Sequence, residues 1–126
     1  MIKLRAWDTV KKAMSEVQAI VYTEEKVYPI YSKEIRRYIP FSEAILMQST
    51  GLFDINDKEI FEGDIVRISM RIGKRTTTSI GAVEFDKFEV CFRIRNDLGG
   101  HYVTMFHARY FEVIGNIYQN QELVEG

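Results

Sequence analysis

The residues best suited to chemistry are few, and their spacing limits what they can do. A zinc site would draw on Cys91, His101 and His107, the one cysteine and both histidines of the chain. Zinc sites read from sequence as Cys/His pairs a few residues apart, and these three fit no such pattern. A surface thiol and a turn histidine beside Gly99-Gly100 are the simpler assignments. The run Asp54-Ile55-Asn56-Asp57-Lys58 has the look of a calcium loop. An EF-hand needs oxygen ligands at its fifth and twelfth places, which here hold Lys58 and Ile65. Covalent catalysis needs a nucleophile with a base in reach. The chain has neither a Gly-x-Ser-x-Gly elbow nor a phosphate-binding glycine loop. Glu59, Glu62 and Asp64 sit among turn residues, where carboxylates mostly cap or stay solvated. The sequence therefore reads as non-catalytic, with no metal and no cofactor.

Two other clusters point to binding. Arg67, Arg71, Lys74 and Arg75 fall in a stretch without an acid. On a strand, Arg67 and Arg71 would project from one face roughly 13 Å apart, with Lys74 and Arg75 at a hairpin tip. Arg93 and Arg95 on a later strand extend the patch, and such a tip suits a phosphate backbone. Against it, outward strand positions need polar residues in any case. Seventeen basic residues also face eighteen acidic ones, a net charge of -1 with no chain-wide pull toward nucleic acid or anionic membrane. The second cluster is aromatic: Tyr22, Tyr28, Tyr31, Tyr38 and Phe41 surround an irregular segment. Eight Phe, seven Tyr and one Trp exceed what a narrow barrel can hold inside. Tyrosine-rich patches mark interfaces, and the plainer alternative is that these rings pack the N-terminal part onto the rest.

These clusters need a scaffold, and 126 residues at 14.8 kDa allow one domain or a small barrel with an appendage. With 46% hydrophobic and 28% charged residues the composition is that of a soluble globular chain. A lone cysteine excludes a disulfide-stapled secreted scaffold. Charges interrupt the apolar residues from Met1 to Asp8, so no signal peptide is expected, and no apolar run nears the roughly 18 residues of a membrane span. The expected location is cytoplasmic.

Periodicity supplies the elements. Ile2, Leu4 and Ala6 alternate with charged neighbours, and Val17–Tyr22 is β-branched and aromatic, so the two predict an N-terminal hairpin. Thr23–Pro40 carries both prolines and dense charge, and reads as an irregular excursion in which Ser32 could cap a short helix. Ser49–Lys58 is rich in turn residues and predicts a tight reversal. Val66, Ile68, Met70 and Ile72 then alternate with Arg67, Ser69 and Arg71, the pattern of a half-buried antiparallel strand. Thr76–Phe85 returns the chain, and Asp86-Lys87 has the length of a hairpin loop. Phe88, Val90, Phe92 and Ile94 share the inward parity of the next strand. Tyr102–Phe106 and Phe111–Ile114 supply two more. Short strands with glycine-bearing turns predict a small closed barrel, which has no exposed edge.

Leu46-Met47-Gln48-Ser49-Thr50-Gly51-Leu52, followed by Lys58-Glu59-Ile60-Phe61-Glu62-Gly63-Asp64-Ile65-Val66, resembles the YopX family of small phage and prophage proteins. The opening Ile2-Lys3-Leu4-Arg5-Ala6-Trp7-Asp8 and the closing Phe111-Glu112-Val113-Ile114-Gly115-Asn116-Ile117-Tyr118 agree in the same order. The family usually has Asn-Gly before the Lys-Glu-Ile run, where this chain has Asn56-Asp57. Asp tolerates the left-handed conformation at some cost, so the turn is expected to survive. The resemblance implies a C-terminal SH3-like barrel, a phage or prophage origin and self-association, and it implies no activity.

The expectation is therefore a mainly β protein. Residues 1–43 form an N-terminal hairpin plus irregular linker, and residues 44–126 an SH3-like antiparallel barrel with a C-terminal tail. Its partners would be a second copy of itself and an unidentified phage or host protein, with nucleic acid as the alternative and no membrane.

Overall fold

A computed structural model describes residues 3–30, 36–96, 102–104 and 110–124. The chain is mainly β and divides into two units, Met1–Ser49 and Thr50–Gly126. Tyr31, Ser32, His101 and His107 lie outside the described residues, as do the side chains of Met70 and Ile72.

In the N-terminal unit, β1 (Leu4–Asp8) and β2 (Ala13–Val21) form the expected antiparallel hairpin, with Asp8 opposite Ala13. β5 (Ala44–Phe53) flanks β1 on its other side. β1 is an inner strand, and its consecutive residues Ala6, Trp7 and Asp8, which point to alternate faces, are all buried. Among its described residues, the segment expected to be irregular contains two strands, β3 (Lys26–Pro29) and β4 (Ile39–Pro40), in the order β4-β3-β2-β1-β5. Both prolines are compatible with this. Pro29 ends β3 and Pro40 lies in the outermost strand, where a missing amide donor disrupts no inner ladder. No helix forms over Arg36–Tyr38. Ala6, Val27 and Ile39 make the core of this unit, with Val17, Phe41 and Ala44 packed around them.

β5 passes through Ser49-Thr50-Gly51 without reversing, so of the reversal expected over Ser49–Lys58 only the second half turns the chain. Gly51 at φ 77° absorbs the irregularity, as glycine does at bulges. The reversal comes one step later, at Asp54–Lys58. Beyond it lie β6 (Glu59–Phe61), β7 (Asp64–Ile72), β8 (Arg75–Asp86), β9 (Cys91–Asn96), β10 (Tyr102–Thr104) and β11 (Phe111–Asn116). The five-stranded order is β10-β9-β8-β7-β11.

The alternation in β7 is as expected: Val66 and Ile68 are buried, while Arg67, Ser69 and Arg71 are exposed. Ile60, Val66, Ile68, Val83, Ile94 and Phe111 form the core, each side chain contributing about 1.5–3 kcal/mol against exposure. Gly73 at φ 65° begins the β7–β8 turn, which Ile72 and Arg75 close. A positive φ at the first central residue is what the type II′ hairpin asks of glycine.

One sequence expectation is met in part and a second is corrected. Among the described residues no sheet closes into a barrel, and β10 and β11 remain outer strands. The free side of β11 is covered instead by the Asp54 turn: Ile55 N donates to Phe111 O at 2.9 Å and Val113 N to Asp54 Oδ2 at 2.8 Å. A covered edge resists further pairing much as closure does. Phe88 and Val90 are not inward either. β8 runs to Asp86 and β9 starts at Cys91, so Lys87–Val90 is a four-residue loop with both apolar side chains in solvent.

Candidate functional site

The aromatic cluster gathers on the β2–β3–β4 side of the N-terminal unit. Register places it: Lys26 opposes Pro40 and Val27 opposes Ile39, so Tyr28 and Tyr38 come side by side on the face of Lys26 and Pro40. The Tyr28 and Tyr38 rings are 6.1 Å apart and tilted by 48°, and Lys26 Nζ stands 4.4 Å from the Tyr38 centroid. Tyr22 meets Phe41 edge-on at 6.0 Å. The backbone ties these pieces, since Phe41 N donates to Glu25 O at 2.9 Å. Glu25 itself takes φ 53° to end the short 3-10 turn that begins at Tyr22. Tyr22 remains 74% exposed and Tyr38 is exposed too. Four of the five expected aromatic residues thus lie in one region of the sheet, and Tyr31 falls outside the described residues.

A recess of about 330 Å³ beside these rings is lined by Arg36, Arg37, Tyr38 and Pro40. Arg36 is committed elsewhere. Its Nε and Nη2 donate to Asp8 Oδ2 and Oδ1, each at 2.8 Å, and Nη1 lies 2.9 Å from Glu43 Oε1. Burial pushes the Asp8 carboxyl up, but bonds from Arg36 and from the Lys11 and Val10 amides outweigh it and hold Asp8 below its ordinary value. The Asp8 bond raises the Arg36 guanidinium despite burial, and Glu43 adds to that. Sequence reading found the N-terminal hairpin but missed Arg36 as the partner of Asp8, and also missed the cation over Tyr38. Pairings so distant in sequence have no local signal.

The basic cluster falls along the β7–β8 hairpin. Arg67 stands opposite Glu112 of β11 and ion-pairs with it at 2.6 Å, which neutralises the base of the patch. Arg71 Nε donates to Gly73 O at 3.2 Å, turning this side chain toward the tip. Lys74 and Arg75 are exposed there. Arg71 opposes Thr76 whereas Arg75 opposes Ile72, so Arg71 and Arg75 leave opposite faces of the ribbon. Arg93 is occupied by Asp86 and Glu89. The tip carries cations, but the hairpin presents no single continuous basic face.

Among the described residues no cluster of three or more His, Cys, Asp or Glu could hold a metal ion. Among them, too, no helix is long and apolar enough to cross a membrane.

No curated protein matches the chain. Solved structures do. Protein EF1440 from Enterococcus faecalis is 28% identical, with 99% of each chain covered and a TM-score of 0.67. Protein yopX from Bacillus subtilis is 22% identical over 98% of this chain and 96% of that one, with a TM-score of 0.59, a likeness of fold. The family model described as YopX protein matches residues 3–125. With nearly the whole length matched, the chain belongs to the YopX protein family.

Proposed function

We propose that this protein is a non-catalytic interaction module of phage or prophage origin that self-associates in the cytoplasm of its bacterial host through the aromatic face of the N-terminal unit. The observation that carries this reading is the arrangement of Tyr22, Tyr28, Tyr38 and Phe41, paired ring to ring with Lys26 over Tyr38. Aromatic pairs contribute about 0.5–1.5 kcal/mol beyond their buried area, and tyrosine suits a surface that is wet in the monomer and dry in the assembly. The neighbouring edge favours contact through the face. β4 is two residues long and ends in Pro40, which blunts strand-to-strand pairing. Light-scattering mass after gel filtration tests the reading. It expects a mass above the 14.8 kDa of the single chain that persists at high salt and falls in a Tyr22→Ser/Tyr38→Ser variant. A parent that stays monomeric overturns it.

A second reading has its own support in Arg71, Lys74 and Arg75 at the exposed hairpin tip. A nucleic-acid contact there involves about three cations, so log affinity for duplex DNA should fall with log salt at a slope of about -3. Replacing the three by Gln should abolish it; equal binding by parent and variant means the tip is only a solvated face.

A further inference from the structure

The β7–β8 hairpin runs on past the strands that flank it. Among the described residues, Ile68, opposite Phe111, is the last of β7 with a β11 partner, and Gly81, opposite Asn96, is the first of β8 with a β9 partner. Between them β7 and β8 pair with each other alone, from Ser69 opposite Thr78 to Ile72 opposite Arg75. Burial follows the same division. Gly81 and Val83 are buried where β9 flanks β8, whereas Arg75, Thr76, Thr77 and Thr78 are exposed in succession. Successive residues point to opposite faces, so both faces of this arm meet solvent. A two-stranded ribbon is only marginally stable by itself, yet this one projects roughly 13 Å beyond Ile68 at strand rise.

The arm carries cations and no anion. No acid occurs from Ile65 to Val83. Arg67 at the base is neutralised by Glu112, but Arg71, Lys74 and Arg75 ion-pair with no acid among the described residues. Register gives one face Arg71 together with Ser69, Thr76 and Thr78, and the other face Arg75, while Lys74 follows Gly73 at the tip. A flat anionic surface would meet only one of the two arginines. A groove with anionic walls meets both and takes Lys74 at its floor. The major groove of B-DNA, about 12 Å wide and 8.5 Å deep, admits a two-stranded ribbon. Strands about 4.8 Å apart leave room there for side chains on either face. The minor groove, about 6 Å wide, does not, and double-stranded RNA has a major groove too deep and narrow to enter. An anionic bilayer fits less well, since Lys74 and the exposed threonines supply no apolar anchor.

We propose that the arm enters the major groove of duplex DNA tip first, with Arg71 and Arg75 on the phosphates of the two walls and Lys74 at the base edges. This deepens the nucleic-acid reading of the hairpin tip and rests on it. The Thr76 and Thr78 hydroxyls, on the Arg71 face, donate to phosphate oxygens of the same wall. Lys74 meets the N7 and O6 acceptors that guanine presents in this groove. Most of these contacts go to the backbone, so the arm holds duplexes of many sequences and reads few bases. The projecting part is longer than the groove is deep, which keeps the rest of the five-stranded sheet clear of the phosphates. The opposed arginines, which deny the hairpin a continuous basic face, are what a two-walled groove requires.

Fluorescence anisotropy with the full chain at low salt tests the proposal on three probes of one sequence. The first is a DNA duplex and the second the matching RNA duplex. The third is the DNA duplex with its cytosines glucosylated through 5-hydroxymethyl groups, which fill the major groove and leave the backbone charge unchanged. The plain DNA duplex should bind about tenfold tighter than either of the others. Arg71→Gln and Arg75→Gln should each make the salt slope shallower by about 1, because both walls are touched. Arg67→Gln should leave the slope unchanged. All three arginines are exposed, so the variants should match the parent in circular dichroism. Equal binding to the three probes, or a slope that responds to only one of Arg71 and Arg75, overturns insertion while the nucleic-acid reading stands. No binding to any duplex at low salt overturns both, and so does binding to phosphatidylglycerol vesicles in place of duplexes.

Discussion

Asp8 and Arg36 are joined by two parallel hydrogen bonds of 2.8 Å across 28 residues of sequence. The Asp8 carboxylate is nearly inaccessible, and it also accepts from the Val10 and Lys11 amides at 3.0 Å each. One carboxylate thus folds the β1–β2 turn and anchors the segment leading into β4. Arg36 carries the connection on to Glu43, and the Thr9 amide and hydroxyl donate to the Glu43 carbonyl at 2.9 and 3.0 Å. Charge, turn and strand entry are fixed at a single point.

Removing Arg36 should therefore harm the N-terminal unit more than removing an ordinary surface cation. Arg36→Gln leaves Asp8 buried with only its amide donors, at an expected cost of about 2–4 kcal/mol. The same change at exposed Lys12 should cost almost nothing. Trp7, the only tryptophan, is buried beside Asp8 in this unit, so its fluorescence during urea unfolding reports the loss. Equal midpoints for the two variants would show that the pair does not hold the unit together.

Acid should destabilise the fold through two carboxylates. Asp8 and Asp54 are both pushed up by burial and held down more strongly by their donors, Arg36 and amides for Asp8 and the Val113, Lys58 and Asn56 amides for Asp54. A folded pKa below the unfolded one means that the unfolded chain binds more protons between the two values. Their contribution is thus fully present above the unfolded value near 4 and is lost as pH falls through the folded values. Stability should be level near neutrality and decline below about pH 4, with a shallower decline in Asp8→Asn and Asp54→Asn. Unfolding midpoints across that range check this, and a variant as acid-sensitive as the parent would remove its carboxylate from the account.

What the sequence disclosed follows its periodicity. The β7 alternation was legible because β7 packs one face on the core, so Val66 and Ile68 differ from Arg67 and Ser69 at every step. The same rule misplaced Phe88 and Val90, because parity cannot tell a strand from a loop that breaks it. The Asp86 side chain caps the loop, and Val90 takes a conformation its type disfavours. The prolines suggested irregularity where an edge strand lies, since a missing donor is harmless at Pro40 in the outermost position. The aromatic cluster was visible as composition, but the Tyr28–Tyr38 pairing depends on β3–β4 register, to which residue type gives no guide.

Two glycines separate steric from conformational demand. At Gly81 an added Cβ would lie 2.5 Å from both the Arg95 carbonyl oxygen and Ile94 Cγ2. The oxygen belongs to the β8–β9 ladder and cannot yield cheaply, so Gly81→Ala should cost about 2–4 kcal/mol and loosen β9. Gly51 has open space around it, and only its φ of 77° penalises a side chain. Gly51→Ala should cost about 1–2 kcal/mol, with β9 undisturbed. Hydrogen exchange of the Cys91–Asn96 amides distinguishes the two: faster exchange in Gly81→Ala alone is the expected pattern, and equal exchange in both would refute the steric account.

Val90 offers a change that stabilises the chain without touching the core. At φ 54° it carries backbone strain that Asn tolerates far better, and Asn adds none of the unfolded-state entropy that Gly would bring. Val90→Asn should therefore stabilise the chain by about 1 kcal/mol and raise its melting temperature by about 4 °C. The side chain is 73% exposed, so no core contact is lost to offset the gain. Thermal melting of the variant beside the parent reads the gain. A variant that gains none would mean the loop holds Val90 without strain.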